Sequence, residues 1–241
     1  MVMMTTLSES VAVITGATSG IGKATAKAFH SRQIRMILHG RNEAKLKQIA
    51  KETQSNYVLG DITDPDIPEL LLQTAKEHFN RCDIVVNNAG GIEVGAIENI
   101  NINKVCEMVR VNVEAAYRVI YTFAKYFKDR DAGHIINISS VLGTKIRETA
   151  GAYAGTKFAV EALSEALRME LSKTNVKITC IEPGLVKTEL HREWASHPAE
   201  IMDIPNPLSP EDIADTILYV LQQKDNVRIS KLMILPKDHI I

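Results

Sequence analysis

Hydrophobic residues along the chain recur as short apolar runs, each followed by a polar or glycine-containing turn and then by a segment of helical periodicity. The first run, residues 11–15, precedes a glycine-rich turn, and the last, residues 230–235, closes the pattern. The runs between them predict further strands at 35–40, 57–63, 83–90, 134–140 and 176–184. The alternating helical segments are predicted at 20–31, 43–53, 66–79, 102–128, 151–173 and 210–223.

This alternation predicts the α/β class, with a doubly wound, seven-stranded parallel sheet and helices on both faces. Strands that are apolar almost throughout suit a parallel sheet, because helices bury both of its faces. No repeat, low-complexity stretch or linker-like change of composition interrupts the pattern, so we expect a single domain over residues 1–241. Ligands in such sheets bind beyond the carboxyl ends of the strands.

The composition narrows the class of protein. With 28 Lys+Arg against 29 Asp+Glu, the formal net charge is −1, which disfavours a nucleic-acid partner. The longest apolar run, Ile217 to Leu221, is far too short to span a membrane, and no secretory signal is visible at the N-terminus. The three cysteines are dispersed and lack CxxC spacing, so we expect reduced thiols in a cytoplasmic protein.

A glycine-rich turn, TGATSGIG at residues 15–22, follows the first strand. Gly16 permits a sharp turn, Gly20 lets the backbone approach a pyrophosphate, and Gly22 lets helix and strand pack closely. The helix that begins there offers unpaired N–H groups to phosphates. A purely structural turn is the alternative, but its place in the first βαβ unit favours a nucleotide site. The candidate cofactor contacts here are Gly16, Thr18, Ser19, Gly20, Ile21 and Gly22.

The second strand ends in HGRN (39–42), with no carboxylate before Glu43. Folds that select NAD place an acidic residue near this strand end, whereas an arginine there accommodates the 2′-phosphate of NADP. Arg41 therefore predicts NADP as the cofactor and makes NAD the less favoured choice, with a solvated surface arginine as the alternative. Asp61 and Ile62, at the end of the third strand, are further candidate cofactor contacts, and Asp61 is placed to meet the adenine edge, although it also suits a turn.

Tyr153 and Lys157 stand at i and i+4, which places both on one face near the start of a helix. A tyrosine is a poor base at its ordinary pKa of about 10, but an adjacent ammonium favours the phenolate. Such a phenol can protonate an alkoxide in ketone reduction or take the proton of an alcohol in oxidation. Ser140 ends the fifth strand and can hydrogen-bond the same substrate oxygen.

With these pieces the chain resembles the short-chain dehydrogenase/reductase family over essentially its whole length. The motifs that carry the resemblance are TGATSGIG (15–22), NNAG (87–90), Asn112, NISS (137–140), YAGTK (153–157) and PGLVKT (183–188). The resemblance implies a Rossmann fold and a catalytic tetrad of Asn112, Ser140, Tyr153 and Lys157. In that tetrad Tyr153 is the acid/base and Ser140 orients the substrate oxygen. Lys157 lowers the tyrosine pKa and holds the nicotinamide ribose, and Asn112 holds a water in a proton relay.

The resemblance also implies further cofactor contacts. Asn88, Ala89 and Gly90 would line the adenosine-ribose side. Val186 and Thr188 would contact the carboxamide and the phosphates.

The segments IEPGLVKTEL (181–190) and LSPEDIADTILYVL (208–221) resemble the NADP-dependent 3-hydroxy acid and serine dehydrogenase subgroup. The leading hypothesis is therefore an NADP-dependent oxidoreductase that transfers a hydride between the nicotinamide and a small hydroxy acid or its keto partner. A reductase of another carbonyl class, such as 3-oxoacyl thioesters, sugars or steroids, is the alternative within enzymes. A non-catalytic NADP-sensing protein is disfavoured, because a sensor has no need of the Ser140, Tyr153 and Lys157 combination.

Substrate selection is expected from three loops at 91–95, 142–150 and about 185–208, the last being a small lid. Lys145, Arg147 and Arg192 could meet a substrate carboxylate, or could be solvated surface charges. We expect no metal site, because His191 and His197 lack zinc-ligand spacing with a nearby carboxylate motif.

The helices at 102–128 and 151–173 carry apolar residues over much of their circumference, which requires a second covering surface. The residues in question are Val111, Val119, Phe123, Phe158, Leu163 and Leu167. Family resemblance implies pairing through these helices, so a homotetramer is predicted, with a dimer as the fallback.

Overall fold

The computed structural model of the chain describes residues 7–191 and 198–240. Seven strands in these ranges form one parallel sheet in the order β3-β2-β1-β4-β5-β6-β7, which confirms the predicted doubly wound α/β fold. The strands are β1 (Val11–Ile14), β2 (Arg35–Gly40), β3 (Asn56–Leu59), β4 (Ile84–Asn87), β5 (Gly133–Ile138), β6 (Val176–Pro183) and β7 (Lys231–Ile234). The order reverses between β1 and β4, where ligands of such sheets bind.

Helices cover both faces of the sheet. They are α1 (Gly20–Ser31), α2 (Glu43–Glu52), α3 (Ile67–Phe79), α4 (Ile102–Val109), α5 (Ala116–Arg130), α6 (Gly151–Glu170), α7 (Pro198–Ile201) and α8 (Pro210–Leu221). The predicted start of the last helix is confirmed, because Ser209 caps it in a reciprocal capping box with Asp212. Within the described ranges, no helix is long and apolar enough to cross a membrane.

The strands alternate their side chains between two separate cores. On β1, Val11 and Val13 enter the core beneath α3, α5 and α6, whereas Ala12 and Ile14 enter the core beneath α1, α2 and α8. Successive side chains of a strand point to opposite faces, so a strand covered on both sides must be apolar at every position. This is why the strands appear in the sequence as mostly apolar runs.

The predicted helix at 102–128 is interrupted where α4 meets α5. Residues Arg110–Ala115 form a π-helical turn, in which the backbone hydrogen bonds span five residues. Such a turn accommodates one extra residue, and this one contains the buried Asn112. Helical periodicity did not predict the turn, because the apolar pattern on either side of it is continuous.

The apolar residues taken as a sign of assembly divide between the core and the surface. Val119, Phe123, Leu163 and Leu167 are buried in the core beneath α5 and α6, so their part of that argument was wrong. Phe158 is 40% exposed, and Tyr121 is 45% exposed on α5. The surface available for pairing is therefore narrower than the sequence suggested.

Candidate active site

The glycine turn after β1 is held against the end of β4. Gly16 has a φ of +66°, and a Cβ there would lie 3.0 Å from both Ala89 Cα and Asn88 Nδ2. Gly22 is tighter still, because its Cβ would lie 2.4 Å from Gly16 O and 2.6 Å from Asn88 Nδ2. Only glycine therefore fits at these two positions without moving the backbone.

Thr15 ties this turn to β4 through its hydroxyl, a role that the sequence motif did not reveal. Its Oγ1 accepts hydrogen bonds from Asn88 N at 2.9 Å and Ala89 N at 3.0 Å. In return, Asn88 Nδ2 donates to Thr15 O at 2.9 Å and to Gly16 O at 3.2 Å. A polar residue at the end of an apolar strand is the signal that could have identified Thr15.

The N-terminus of α1 opens onto the same space. Gly20 begins the helix, and the Ser19 side chain makes no capping hydrogen bond there. Thr188 lies across this end, with its Cγ2 3.1 Å from the position of a Cβ on Gly20. The cradle of glycines, free N–H groups and a nearby hydroxyl fits the pyrophosphate of a dinucleotide.

Arg41 lies just beyond β2 and faces Asp61. Its Nη1 is 3.6 Å from Asp61 Oδ2, and both side chains are well exposed. The other carboxylate oxygen of Asp61 accepts from Thr63 N at 2.9 Å, and this hydrogen bond is the main reason its pKa is lowered. One oxygen of Asp61 therefore shapes the turn and the other faces Arg41, while its contact with the adenine edge stays a prediction.

Two other predicted cofactor contacts are buried. Ile62 is only 4% exposed and belongs to the core with Val58 and Ile67, so its side chain packs inward and its contact with the cofactor stays a prediction. Val186 is also buried, and it forms a parallel β-bridge with Leu208. Ile21 is partly buried against the core on the α1 side.

The catalytic candidates meet at the carboxyl end of β5. Ser140 begins a single 3₁₀ turn and accepts a hydrogen bond from Leu142 N at 3.1 Å. Tyr153 and Lys157 lie on the inner face of α6, with Lys157 Nζ 5.7 Å from the centre of the tyrosine ring. All three residues are at least nine-tenths buried.

Burial, rather than the neighbouring ammonium, dominates the acidity of Tyr153. It raises the pKa of the phenol to about 12, and a hydrogen bond with Ser140 acts in the opposite direction. Burial and Ser140 account for the shift, while Lys157 Nζ lies 5.7 Å from the centre of the ring, so the expected lowering of this pKa by Lys157 stays a prediction. At neutral pH Tyr153 is therefore a protonated donor.

Lys157 is hydrogen-bonded to the sheet and lies next to the NNAG segment at 87–90. Its Nζ donates to Ile138 O at 2.9 Å, and a Cβ on Gly90 would lie 3.8 Å from it. Burial lowers the pKa of Lys157 to about 8, and the negative charge of Glu161 opposes that shift. The site thus joins the NNAG segment to the catalytic helix through one lysine.

Asn112 fixes the loop after β4 to the helices. Its Oδ1 accepts from Gly91 N at 2.8 Å, while its Nδ2 donates to Gly91 O at 2.9 Å and to Thr156 Oγ1 at 3.1 Å. Thr156 was not predicted as a site residue, and Gly91 was predicted only as part of the substrate loop at 91–95. Their contacts arise because the π turn presents Asn112 to both elements, which sequence spacing does not disclose.

A row of hydrogen-bonded, buried side chains links the carboxyl ends of β4 and β5 to α6. Asn87 Nδ2 donates to Asn137 Oδ1 at 3.1 Å, and Asn137 Nδ2 donates to Ser164 Oγ at 2.9 Å. The row crosses β4, β5 and α6 in that order. It sets the position of α6, and hence of Tyr153, relative to the sheet.

The side of the site where the sequence predicts substrate contacts is built from loops and from residues near the end of the described range. Arg147 Nη1 donates to Met202 Sδ at 3.0 Å, and no carboxylate among the described residues lies within ion-pair distance of it. His239 was not predicted, yet its Nδ1 lies 2.5 Å from the position of a Cβ on Gly184, at the end of β6. Burial lowers the pKa of His239, and the charge of Arg147 acts in the same direction.

The other charged residues predicted in these loops have different outcomes. Lys145 is exposed. Arg192 and His197 lie outside the described residues. Within the described residues, no group of three or more His, Cys, Asp or Glu side chains could hold a metal ion.

Comparison with known proteins is consistent with this geometry. A family model described as short chain dehydrogenase matches residues 10–199. The chain is 35% identical over 237 residues to an uncharacterized oxidoreductase of Staphylococcus epidermidis, covering 97% of this chain and 100% of the relative. An alcohol dehydrogenase from the archaeon Thermococcus sibiricus, complexed with 5-hydroxy-NADP, superposes with a TM-score of 0.86 at 27% identity, covering 96% of this chain and 98% of that one. A closed serine dehydrogenase complexed with NADP+ gives 0.85 at 26% identity, covering 93% and 94%.

Proposed function

Because the chain belongs to the short-chain dehydrogenase family, and is thus an NAD(P)-dependent oxidoreductase, we propose that it uses NADP to interconvert a small hydroxy acid and its keto partner. The observation that carries the proposal is the buried group of Ser140, Tyr153 and Lys157 beside the glycine cradle. The two NADP-bound dehydrogenases of similar structure support the choice of cofactor.

The roles of the catalytic residues follow from their protonation states. The nicotinamide ring, when bound, supplies or accepts the hydride. Tyr153 gives its proton to the substrate oxygen in reduction and takes it back in oxidation, while Ser140 hydrogen-bonds that oxygen. Since burial raises the pKa of Tyr153 to about 12, the proton donor is present throughout the neutral range, and oxidation is expected to accelerate as the pH rises. Lys157 and Asn112 position these groups.

The 2′-phosphate of NADP would be held by Arg41. In the chain by itself this guanidinium makes a long, exposed ion pair with Asp61, and such pairs contribute at most about 1 kcal/mol. Releasing it to a phosphate therefore costs little, while a bidentate phosphate contact is stronger. Gly16, Gly20, Asn88, Gly90 and Thr188 would surround the rest of the dinucleotide.

Arg147 is the proposed anchor for the substrate carboxylate. Its guanidinium contacts a thioether, a weak acceptor, and is thus available for a stronger anionic partner. The lid at about 185–208 would close over this side. Its base is fixed by the Val186–Leu208 bridge and by an ion pair of 2.8 Å between Lys45 and Glu189.

The proposal is tested by following NADP reduction with a panel of hydroxy acids, their neutral esters, sugars and aliphatic alcohols. We expect the highest kcat/KM with a small hydroxy acid and a clear loss on esterification. Preference for a 3-oxoacyl thioester, a sugar or a steroid would assign the enzyme to another carbonyl class.

We also propose that the protein is a cytoplasmic homotetramer that pairs first through α5 and α6. The exposed Tyr121 and Phe158 on these helices support such a contact. Light scattering at micromolar concentration should return a tetramer mass, or a dimer mass as the fallback, and a monomer would contradict the proposal.

A further inference from the structure

A third ionisable residue follows Tyr153 and Lys157 on the inner face of α6. Glu161 continues their spacing as i, i+4 and i+8, and successive members are about 6 Å apart along the helix axis. The residue is only 4% exposed. A buried charge is costly unless other charges or hydrogen bonds compensate it, so the partners of Glu161 require an explanation.

Glu161 meets a second buried acid and one cation. Glu182 on β6 is 3% exposed, and its pKa is raised first by burial and then by the negative charge of Glu161. Lys231 reaches inward from β7 and places its Nζ 3.1 Å from Glu161 Oε2. On the far side, Thr144 Oγ1 donates to Glu182 Oε2 at 3.4 Å. Lys231 thus forms an ion pair with Glu161, and its charge also acts to lower the pKa of Glu182.

If Glu161 and Glu182 are both ionised, several buried polar atoms around them have no hydrogen-bond partner in the described part of the chain. Among the described residues, Glu161 Oε1, Glu182 Oε1 and Ser139 Oγ find no hydrogen-bond partner. An ionised carboxylate can only accept, and two buried carboxylates side by side repel each other. A single proton held between Glu161 and Glu182 would supply the missing donor and remove the repulsion.

We propose that Glu161 is a positioning residue for the reaction: it shares one proton with Glu182, and its remaining negative charge keeps Lys157 in the ammonium form. This inference rests on the role proposed above for Lys157. Other groups facing Lys157 do not replace Glu161. Cys180 on β6 stays a neutral thiol because burial raises its pKa to about 12, and Tyr153 is likewise neutral.

The test follows the titration of Lys157 directly in the full-length chain without cofactor or substrate. Lysine labelled with ¹³C at Cε is incorporated, the Lys157 signal is assigned by its loss in Lys157→Met, and its chemical shift is recorded against pH. Removing the negative charge in Glu161→Gln should lower the pKa of Lys157 by about one unit. Glu161→Asp keeps the charge and should restore most of that shift.

The matched control is Glu165→Gln, the same chemical change one turn further along α6 on its exposed face. It should leave the titration of Lys157 unchanged. Glu182→Gln should also change it little, because the charge then resides on Glu161 alone. Equal titrations in Glu161→Gln and Glu165→Gln would overturn the proposal.

Infrared spectroscopy of the wild type tests the shared proton even if Glu161→Gln fails to fold. A carbonyl band of a buried protonated carboxyl group should be present at neutral pH and disappear in Glu182→Gln, and its absence from the wild type would also overturn the proposal. In activity assays, the alkaline limb of kcat/KM for reduction should move to lower pH in Glu161→Gln. Neither the titration of Lys157 nor the infrared measurement uses substrate, so their outcome does not depend on the proposed substrate class.

Discussion

The nucleotide end and the substrate end of the site are built differently. At the nucleotide end, the turn after β1 is fixed by hydrogen bonds between Thr15 and Asn88 and by close approaches of backbone at Gly16 and Gly22. At the substrate end, Arg147 stands on a loop and donates to the thioether of Met202. On the proposed function, cofactor binding would thus depend on backbone shape, whereas substrate choice would depend on side chains that loops hold in place.

The largest expected effect lies where the two ends meet. Tyr153→Phe removes the acid/base proton without altering the shape of the cradle, so turnover should fall by roughly 1,000-fold or more. Steady-state kinetics and a cofactor titration measure the two properties separately. Substantial activity in the Phe variant, with unchanged NADP binding, would remove Tyr153 from the proposed mechanism.

The backbone character of the nucleotide end is tested at Gly22. Gly22→Ala would place a methyl group 2.4 Å from Gly16 O, so the turn must shift. We expect about 1–3 kcal/mol of destabilisation and a comparable loss of NADP affinity, measured by denaturant unfolding and by calorimetry. Gly155→Ala is the control, because a Cβ there meets nothing within 4 Å in the interior of α6 and should stabilise by about 0.5–1 kcal/mol.

A side-chain exchange at the same end should have a smaller, selective effect. Gly40→Asp with Arg41→Ile would replace the phosphate-binding guanidinium by an acidic residue, but a Cβ on Gly40 would lie 2.5 Å from Thr18 Cγ2. The swap therefore also needs Thr18→Ser. The triple variant should reverse the preference from NADP to NAD, because removing each charge-assisted hydrogen bond to the 2′-phosphate costs about 1.5–3 kcal/mol of binding free energy.

Cofactor titrations of the wild type and the triple variant measure this exchange. A wild type that binds NAD more tightly than NADP would contradict the assignment of Arg41.

The smallest effect is expected at the substrate end. Arg147→Ala should raise KM for a hydroxy acid by about tenfold, while the neutral ester is affected little, because the variant cannot make the charge-assisted bond to the carboxylate. Lys145→Ala, an exposed cation two positions away, is the matched control. Equal changes for acid and ester would show that Arg147 is not a carboxylate anchor.

The sequence predicted those features that depend on local chemistry. The glycine spacing at 15–22, the start of the last helix at residue 210 and the i, i+4 pair of Tyr153 and Lys157 each have a short-range physical cause. The burial of Ile62 could not be predicted, because its position after a strand did not reveal that Ile67 and Val58 would enclose it.

Features that depend on distant contacts could not be read in this way. The approach of Glu161, Glu182 and Lys231 joins α6, β6 and β7, and no spacing along the chain links them. The same holds for His239, which reaches Gly184 only because the chain folds back along the end of β6.

The row of buried hydrogen bonds from Asn87 through Asn137 to Ser164 has a consequence for local unfolding of the protein. Because it joins β4, β5 and α6 by directional bonds within the core, α6 cannot detach without leaving amide groups unpaired in an apolar interior. Amide hydrogens around Tyr153 should then exchange with solvent only when the central sheet unfolds, and not through local fraying. The catalytic helix and the sheet would form one cooperative unit, so the cell would contain the complete site or an unfolded chain, with little of a partly assembled enzyme.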